Sequence, residues 1–396
     1  MKSIIFLKYL ALLICIALLA ACSRSRAVLW HGIHATPSMI AVQREVEGEP
    51  IPPQAIVPVY VATSRKMQNS YSQPYGAARS NQVHYNRVDV GIPQRHVKGM
   101  VETNAYKPTH DKYFAAVALH KYDNKEQFKQ KLNAALAKKP KGKKEIFLFI
   151  HGYNNNFADG TFRAAQFTHD YSLNTVTVHY SWPSAGSIPL YIYDRDSANF
   201  ARDGLLELLI IISKTNAEHV SIIAHSMGNF ITMEAFRTLA LQGKYKQIQR
   251  ITSFLMAAPD IDLDVFERQL NDIKELPQPT AILVSRKDRA LAVSGRLTGG
   301  HSRIGDGSDI EILRKNGIAV IDLSNVDGGE HSVFASSPTL MALSREGSLA
   351  SMIMQGTELS PSQAILADGH SVLEKTTRLI FYTPLHLLSP LTHRSR

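Results

Sequence analysis

Cysteine is nearly absent from this sequence of 396 residues, which contains only Cys15 and Cys22. Cys15 lies inside an N-terminal apolar stretch, so Cys22 has no partner in the remainder of the chain. A disulfide framework is therefore excluded, and we expect the hydrophobic core to stabilise the fold. The composition, 44% hydrophobic and 20% charged, is that of an ordinary globular protein long enough to bury a large core.

Motifs for metals, phosphates and nucleic acids are also missing. The sequence has no His-Glu-x-x-His, no metal-binding cysteine pair and no phosphate-binding glycine loop, and His96, His110 and His120 lack the spacing of metal ligands. Despite a formal net charge of +10, it has no zinc-finger spacing, RNA-binding sheet motif or basic heptads. We therefore expect no cofactor, no metal and no nucleic-acid partner.

The N-terminal segment 1–21 has the features of an export signal. Two lysines accompany the uncharged, mostly apolar stretch 9–21, which is too short to span a bilayer comfortably. The stretch ends Leu-Ala-Ala-Cys at Cys22, a sequence typical of a bacterial lipobox. We predict cleavage before Cys22, a lipid anchor on its thiol and attachment to the bacterial cell envelope. Ser23 favours the outer membrane, whereas an ordinary signal peptide followed by a chance cysteine is the alternative.

Strand-like apolar runs alternate with helical patterns through most of the chain. The run 145–150 reads E-I-F-L-F-I, which is typical of a parallel strand buried on both faces. Such alternation predicts an α/β fold with a doubly wound, mostly parallel sheet and antiparallel strands at its N-terminal edge. The predicted strands are 58–63, 85–92, 97–101, 145–150, 175–180, 220–224, 251–256, 280–284 and 317–323. The predicted helices are 126–137, 157–171, 197–213, 227–240 and 265–273.

These elements divide the chain into a signal peptide at 1–21, a tether at 22–50, a folded domain at 51–340 and a C-terminal extension at 341–396. Within the domain we expect 66–80 to be a loop and 317–323 to be the last strand. The extension has no clear pattern, and its stretch 373–391 fits either a helix or an apolar tail.

The stretch 220–228 reads V-S-I-I-A-H-S-M-G and predicts a strand, a sharp turn and a helix. This is the setting of a nucleophile elbow, in which a serine stands on a tight turn between small residues. Those residues are Ala224 and Gly228, where the common pattern has glycine at the first position. Ser226 is the candidate nucleophile, although a capping serine at an ordinary turn would look similar.

A serine nucleophile needs a histidine base and an acid, which we expect at the carboxyl ends of later strands. His331 follows the predicted strand 317–323 and is favoured as the base. The other histidines after the serine are His301, His370, His386 and His393. Asp288 follows the strand 280–284 and is favoured as the acid, while Asp260, after the strand 251–256, remains an alternative.

Two backbone amides are candidates to stabilise an oxyanion. The loop after the strand 145–150 begins His151-Gly152-Tyr153, and Gly152 would let the amide of Tyr153 face the site. The second amide is that of Met227, at the start of a helix whose dipole favours negative charge. We expect His151 to brace this loop. Four further side chains either line the pocket or pack a loop: Trp182, Pro183, Tyr191 and Tyr193.

Several sequence blocks, in order over about residues 55–340, resemble the uncharacterised bacterial α/β-hydrolases, an esterase- or lipase-like family that often includes lipoproteins. They are Tyr60–Arg65, Phe149–Asn154, Tyr180–Ser184, Tyr193–Ser197, Ala224–Asn229, Ala257–Asp260, Asp288–Leu291 and Gly299–Gly305. The resemblance implies the α/β-hydrolase fold and supports Ser226, Asp288 and His331. We predict a lipid-anchored serine hydrolase, a carboxylesterase or lipase, that cleaves small-molecule or lipid esters. The alternative is a non-catalytic surface lipoprotein that uses the same scaffold for binding.

Overall fold

The computed structural model describes residues 27–29, 51–70, 72–105, 109–345 and 378–382. Ten strands lie in these ranges: β1 (Ala55–Met67), β2 (Tyr75–Ile92), β3 (Ala115–Tyr122), β4 (Glu145–Ile150), β5 (Val176–Ser181), β6 (His219–His225), β7 (Ser253–Ala257), β8 (Thr280–Val284), β9 (Ala319–Asn325) and β10 (Arg378–Tyr382). They form one sheet in the order β10-β9-β8-β7-β6-β4-β5-β1-β2-β3. The strands from β9 to β1 in this order are parallel, whereas β2, β3 and β10 pair antiparallel at the two edges. The predicted mostly parallel sheet with antiparallel strands at its N-terminal edge is confirmed.

Helices connect most of these strands. They are α1 (Lys125–Ala137), α2 (Phe157–Asp170), α3 (Tyr191–Ser213), α4 (Met227–Leu241), α5 (Tyr245–Gln249), α6 (Leu263–Ile273), α7 (Arg289–Leu297), α8 (Ile310–Lys315), α9 (Val333–Ser336) and α10 (Pro338–Arg345). All five predicted helices are present, and α3 begins six residues earlier than predicted. No helix among the described residues is both long and apolar enough to cross a membrane.

The sheet is covered on both faces, and β4 shows why its sequence is almost entirely apolar. Ile146, Leu148 and Ile150 pack into the core that contains α1, α3 and α4. Phe147 and Phe149, which point the other way because side chains alternate along a strand, pack into the core that contains α2 and α9. With a hydrophobic layer on each side, this strand has no solvent-facing position for a polar residue.

Two of the predictions for the N-terminal edge are wrong. Residues 97–101 form turns instead of a strand, with Val97 and Met100 exposed, and the third edge strand is β3. The expected loop 66–80 is largely strand, because β1 continues to Met67 and β2 starts at Tyr75. Register shifts near Thr63 and Arg65 let the two strands form one long bent hairpin.

The C-terminal prediction also changes. The strand predicted at 317–323 is β9, but it is not the last strand, because β10 pairs antiparallel with it at the sheet edge. The part of 373–391 that the structure describes, 378–382, is therefore extended, not helical or an unpaired tail.

The N-terminal predictions fall mostly outside the described residues, including the signal peptide 1–21 and the lipidation site Cys22. Within the stretch predicted as a tether, Ala27 and Leu29 are buried, and the Leu29 backbone bonds to Ser72 and Ala116. This short segment therefore packs on the domain.

Candidate active site

The turn between β6 and α4 holds Ser226 in an unusual backbone conformation. Its φ of 51° and ψ of −124° lie in a region that costs a non-glycine residue on the order of 1–3 kcal/mol. The Ser226 amide donates to Ala257 O at 2.9 Å, and its carbonyl accepts from the Asn229 amide at 3.0 Å and from Asn229 Nδ2 at 3.2 Å. These bonds fix the strained turn on both sides. The conformation is that expected of the predicted elbow.

The loop after β4 lies directly against this turn. A Cβ atom at Gly152 would lie 2.8 Å from Ser226 Cβ and 2.7 Å from His225 Nδ1. A Cβ atom at Gly228 would lie 2.6 Å from His151 O. Glycine is therefore required at both positions for the loop and the turn to touch.

Asp288 and His331, which are 43 residues apart in the chain, contact each other. His331 Nδ1 donates to Asp288 Oδ2 at 2.6 Å, and Asp288 Oδ1 accepts from the Leu291 amide at 3.0 Å. Asp288 is thus also the N-cap of α7, and its side chain is only 1% exposed. The bond at Nδ1 fixes the orientation of the imidazole and leaves Nε2 as the nitrogen that can accept a proton.

His331 lies beside the Ser226 turn through His225. The two imidazole rings are 4.6 Å apart, and His225 Nε2 donates to His331 O at 3.2 Å. No described side chain forms a hydrogen bond with Ser226 Oγ. Catalytic hydrogen bonds are in general often long before substrate binds and shorten in the complex.

Asp260, the alternative acid, has other partners. Its carboxylate accepts from Tyr191 Oη at 2.9 Å and from Ser294 Oγ at 2.5 Å, and it lies 3.4 Å from Arg303 Nε. It makes no contact with His331 among the described residues. Its amide lies 3.3 Å from Ser226 O, so the residue is near the turn while its side chain connects α3, α7 and the segment around Arg303.

The loop that contains the candidate oxyanion donor Tyr153 is held from three sides. Trp182 Nε1 donates to His151 O at 2.7 Å, and the two rings stack with their centroids 5.0 Å apart. The Arg65 guanidinium donates to Asn155 O at 2.8 Å, and Asp194 Oδ2 accepts from the Asn154 amide at 3.4 Å. The Met227 amide is among the first amides of α4, which have no carbonyl partner within the helix.

These contacts also decide the open question about the aromatic side chains. Trp182 is fully buried and packs the loop. Tyr191 bonds to Asp260, and Tyr193 Oη donates to Ala77 O at 2.9 Å. For these three, packing is the better description than a pocket wall.

Burial keeps several histidines of this region neutral. Desolvation lowers the pKa of His151 and of His225 well below the usual histidine value, and it lowers the pKa of His179 to about 3. His151 Nδ1 donates to Gly152 O at 2.8 Å, so this side chain braces its own loop as expected. His331, in contrast, is 24% exposed and faces solvent on one side.

Sequence reasoning missed three of these residues as parts of the site. Arg65 is fully buried and binds three backbone carbonyls, Asn229 holds the serine turn, and His225 contacts His331. All three lie inside the sequence blocks that carry the family resemblance, Tyr60–Arg65 and Ala224–Asn229, which was the one available signal. Of the four other candidate bases, His301 is exposed, while His370, His386 and His393 lie outside the described residues. The described residues with metal-ligand geometry, His96, His169 and Asp170, lie where the loop after β2 meets the end of α2 and not at this turn.

Comparison with known proteins places these observations in a family. Residues 124–347 match the sequence model of a family described as "Alpha/beta hydrolase of unknown function (DUF900)". No curated protein matches the chain.

Three solved structures are similar to parts of the chain. Lipase B of Aspergillus fumigatus is 13% identical over 53% of this chain and 53% of its own, with a TM-score of 0.36, so the chain spans about half of that lipase. LAE6, an alpha/beta hydrolase enzyme from the metagenome of Lake Arreo, is 10% identical over 81% and 91%, with a TM-score of 0.33. An esterase from Rhizomucor miehei is 12% identical over 80% and 91%, also with a TM-score of 0.33.

Proposed function

The chain belongs to the family of α/β-hydrolases of unknown function, and we propose that it is a serine hydrolase that cleaves carboxylic esters through an acyl-enzyme on Ser226. One observation carries the proposal. A serine in a strained strand-to-helix turn directly follows His225, which contacts a second histidine, His331, whose Nδ1 is bound by a buried carboxylate. In this proposal Ser226 is the nucleophile, His331 the base and Asp288 the acid.

The reaction follows from the roles of these groups. Ser226 Oγ attacks the ester carbonyl carbon while His331 Nε2 accepts its proton. The amides of Tyr153 and Met227 donate to the oxyanion, and one such donor contributes on the order of a hundred- to a thousandfold in rate. The leaving alcohol then takes the proton from His331. Water repeats the sequence on the acyl-enzyme and releases the acid, while Asp288 stabilises the imidazolium without taking its proton.

Labelling with a fluorophosphonate tests whether Ser226 is activated. The purified full chain should become covalently labelled, and Ser226→Ala should abolish the label. Ser213→Ala is the matched control, because this serine bonds to the Ile210 carbonyl at the far end of α3. Folded protein that never labels would favour the non-catalytic binding scaffold. If Ser226 is labelled, hydrolysis of p-nitrophenyl esters of increasing chain length gives the acyl preference.

We further propose that the protein is exported and held in the bacterial envelope by a lipid on Cys22. The carbonyl of Ala27 accepts from Asn156 Nδ2 at 2.8 Å, and Asn156 is the N-cap of α2, directly after the candidate oxyanion loop. The chain from Cys22 to Ala27 can span at most about 18 Å. A lipid on Cys22 would therefore keep this side of the domain close to the bilayer, where lipid esters are available as substrates.

Mass spectrometry of the protein recovered from bacterial membranes tests the anchor. We expect an N-terminal peptide that begins at Cys22 and carries the added mass of a diacylglycerol. In Cys22→Ser, we expect the signal peptide to remain uncleaved. Cys15→Ser is the control, since Cys15 belongs to the predicted signal. An unmodified peptide that begins elsewhere would contradict the proposal and would leave the hydrolase assignment intact.

A further inference from the structure

Three side chains with metal-ligating atoms meet where the loop after β2 reaches the end of α2. They are His96, His169 and Asp170, and one ligating atom from each lies within 4.8 Å of the others. Residue 96 is more than 70 positions from the other two, so no sequence spacing could reveal the group. From this geometry we infer a binding site for a divalent transition metal of the zinc class, separate from the Ser226 site.

Asp170 Oδ1 is the common point of the group. It lies 2.8 Å from His96 Nε2 and 2.9 Å from His169 Nδ1. Around a tetrahedral Zn²⁺ with bonds of about 2.0–2.2 Å, neighbouring ligand atoms are roughly 3.3 Å apart. Shifts of about half an ångström in side-chain position would therefore open the group enough to hold the ion.

In His96 and Asp170, the atoms that would not bind the metal already form hydrogen bonds within the protein. His96 Nδ1 donates to Glu102 Oε2 at 2.9 Å, and Glu102 Oε1 accepts from the Val97 amide at 2.8 Å. Asp170 Oδ2 accepts from the Gly99 amide at 2.7 Å and from Gln166 Nε2 at 2.6 Å. A carboxylate behind a ligating imidazole is the usual arrangement at zinc sites, because it fixes the ring and its tautomer.

The donor set and the exposure fit zinc with one open position. Two imidazoles and a carboxylate suit Zn²⁺ better than Ca²⁺ or Mg²⁺, which prefer oxygen ligands. The side chains of His96 and Asp170 are 1% and 0% exposed, whereas that of His169 is 27% exposed and offers an entry path. A water molecule would supply the fourth ligand.

A metal at this site would hold separate elements of the fold together. Gln166, which binds Asp170, also donates to Ala335 O at 3.2 Å, and Gly99 packs so closely on Ser336 that a Cβ there would lie 2.6 Å from Ser336 O. The metal would thus tie the loop after β2 to α2 and, through it, to α9, the helix that follows His331.

Metal analysis of the purified full chain tests this inference without any assay of activity. After incubation with Zn²⁺ and gel filtration, we expect about one zinc per chain. His169→Ala should lower zinc affinity by more than the roughly 10- to 100-fold expected for Glu102→Gln, because it removes a ligand and not the group behind one. His219→Ala, an exposed histidine at the start of β6, should bind like the wild type.

Two further readouts make the result decisive. Co²⁺ in place of Zn²⁺ should give the intense visible absorption of a tetrahedral site, and chelation should lower the wild-type Tm by several degrees while leaving that of His169→Ala unchanged. If the wild type holds no zinc, or His169→Ala binds as much as the wild type does, the inference is wrong and the group is an imidazole–carboxylate hydrogen-bond cluster. Either outcome is independent of whether Ser226 is labelled.

Discussion

Replacing Asp288 by asparagine should separate its proposed catalytic role from its structural one. The Oδ1 atom caps α7 through the Leu291 amide at 3.0 Å, and asparagine caps a helix about as well as aspartate. The Oδ2 atom receives the proton of His331 Nδ1 at 2.6 Å. An amide NH₂ at that position forces the other tautomer, so His331 Nε2 carries a proton and cannot accept one from Ser226.

The expected loss follows from these two roles. A wrong tautomer in a serine triad lowers kcat about 10⁴-fold, which corresponds to about 5.4 kcal/mol of transition-state stabilisation. The free energy of unfolding should change by less than about 1 kcal/mol, because the cap is retained. The assay combines ester hydrolysis and the rate of fluorophosphonate labelling with urea unfolding of the same preparation.

Asp260→Asn is the matched control. Its carboxylate is bound by Tyr191, Ser294 and Arg303, and removing its charge leaves a buried guanidinium without a counter-ion. We expect a loss of about 3–5 kcal/mol in stability and a change in kcat of less than about tenfold for the folded protein. The reverse pattern, with activity lost in Asp260→Asn and kept in Asp288→Asn, would refute the assignment of the acid.

Three further perturbations follow from the same geometry. Gly152→Ala should slow labelling of Ser226 about 100-fold, because its Cβ would lie 2.7 Å from His225 Nδ1; an unchanged rate would show that the loop does not act at the serine. Arg65→Met should cost about 2–4 kcal/mol in urea unfolding, since it leaves the carbonyls of Gly76, Ser184 and Asn155 without their donor; full stability would contradict this. The pKa of buried His179 is lowered to about 3, so the unfolded chain binds its proton near pH 6.5 and the folded chain does not. As the pH is lowered from about 6.5 to 3, this residue should therefore reduce the free energy of unfolding by up to about 1.4 kcal/mol per pH unit. In His179→Phe, the free energy of unfolding measured with urea should depend less steeply on pH.

The central strands could be predicted from the sequence because both of their faces are buried. β4 and β8 begin and end at the predicted residues, since each is apolar after its first residue and lies in a sheet covered on both sides. The strands at the N-terminal edge of the sheet were harder to predict from the sequence. β3 alternates weakly and is rich in alanine, so it gave no strand pattern, whereas 97–101 contains apolar residues that are in fact exposed.

The candidate site was predictable only where a residue follows directly from a strand end. Ser226, Asp288 and His331 each lie just beyond a strand, and chain order restricted the choice among many serines, aspartates and histidines. The contact of His225 with His331 joins residues 106 positions apart, and Arg65 reaches the loop after β4 across 90 positions. Nothing in the local sequence determines which carbonyls such side chains bind.

The departure from the common elbow pattern has a physical explanation in the sheet. Ala224 is fully buried inside β6, where it pairs with Ile150 on one side and Met256 on the other, so a methyl group fits an ordinary strand position. The crowding lies at Gly228 and Gly152, where any side chain would push the β4 loop away from the serine. Since both proposed oxyanion donors are backbone amides, their distance from Ser226 Oγ depends on this backbone approach. Glycine is therefore needed at 152 and 228, whereas position 224 has only to be small.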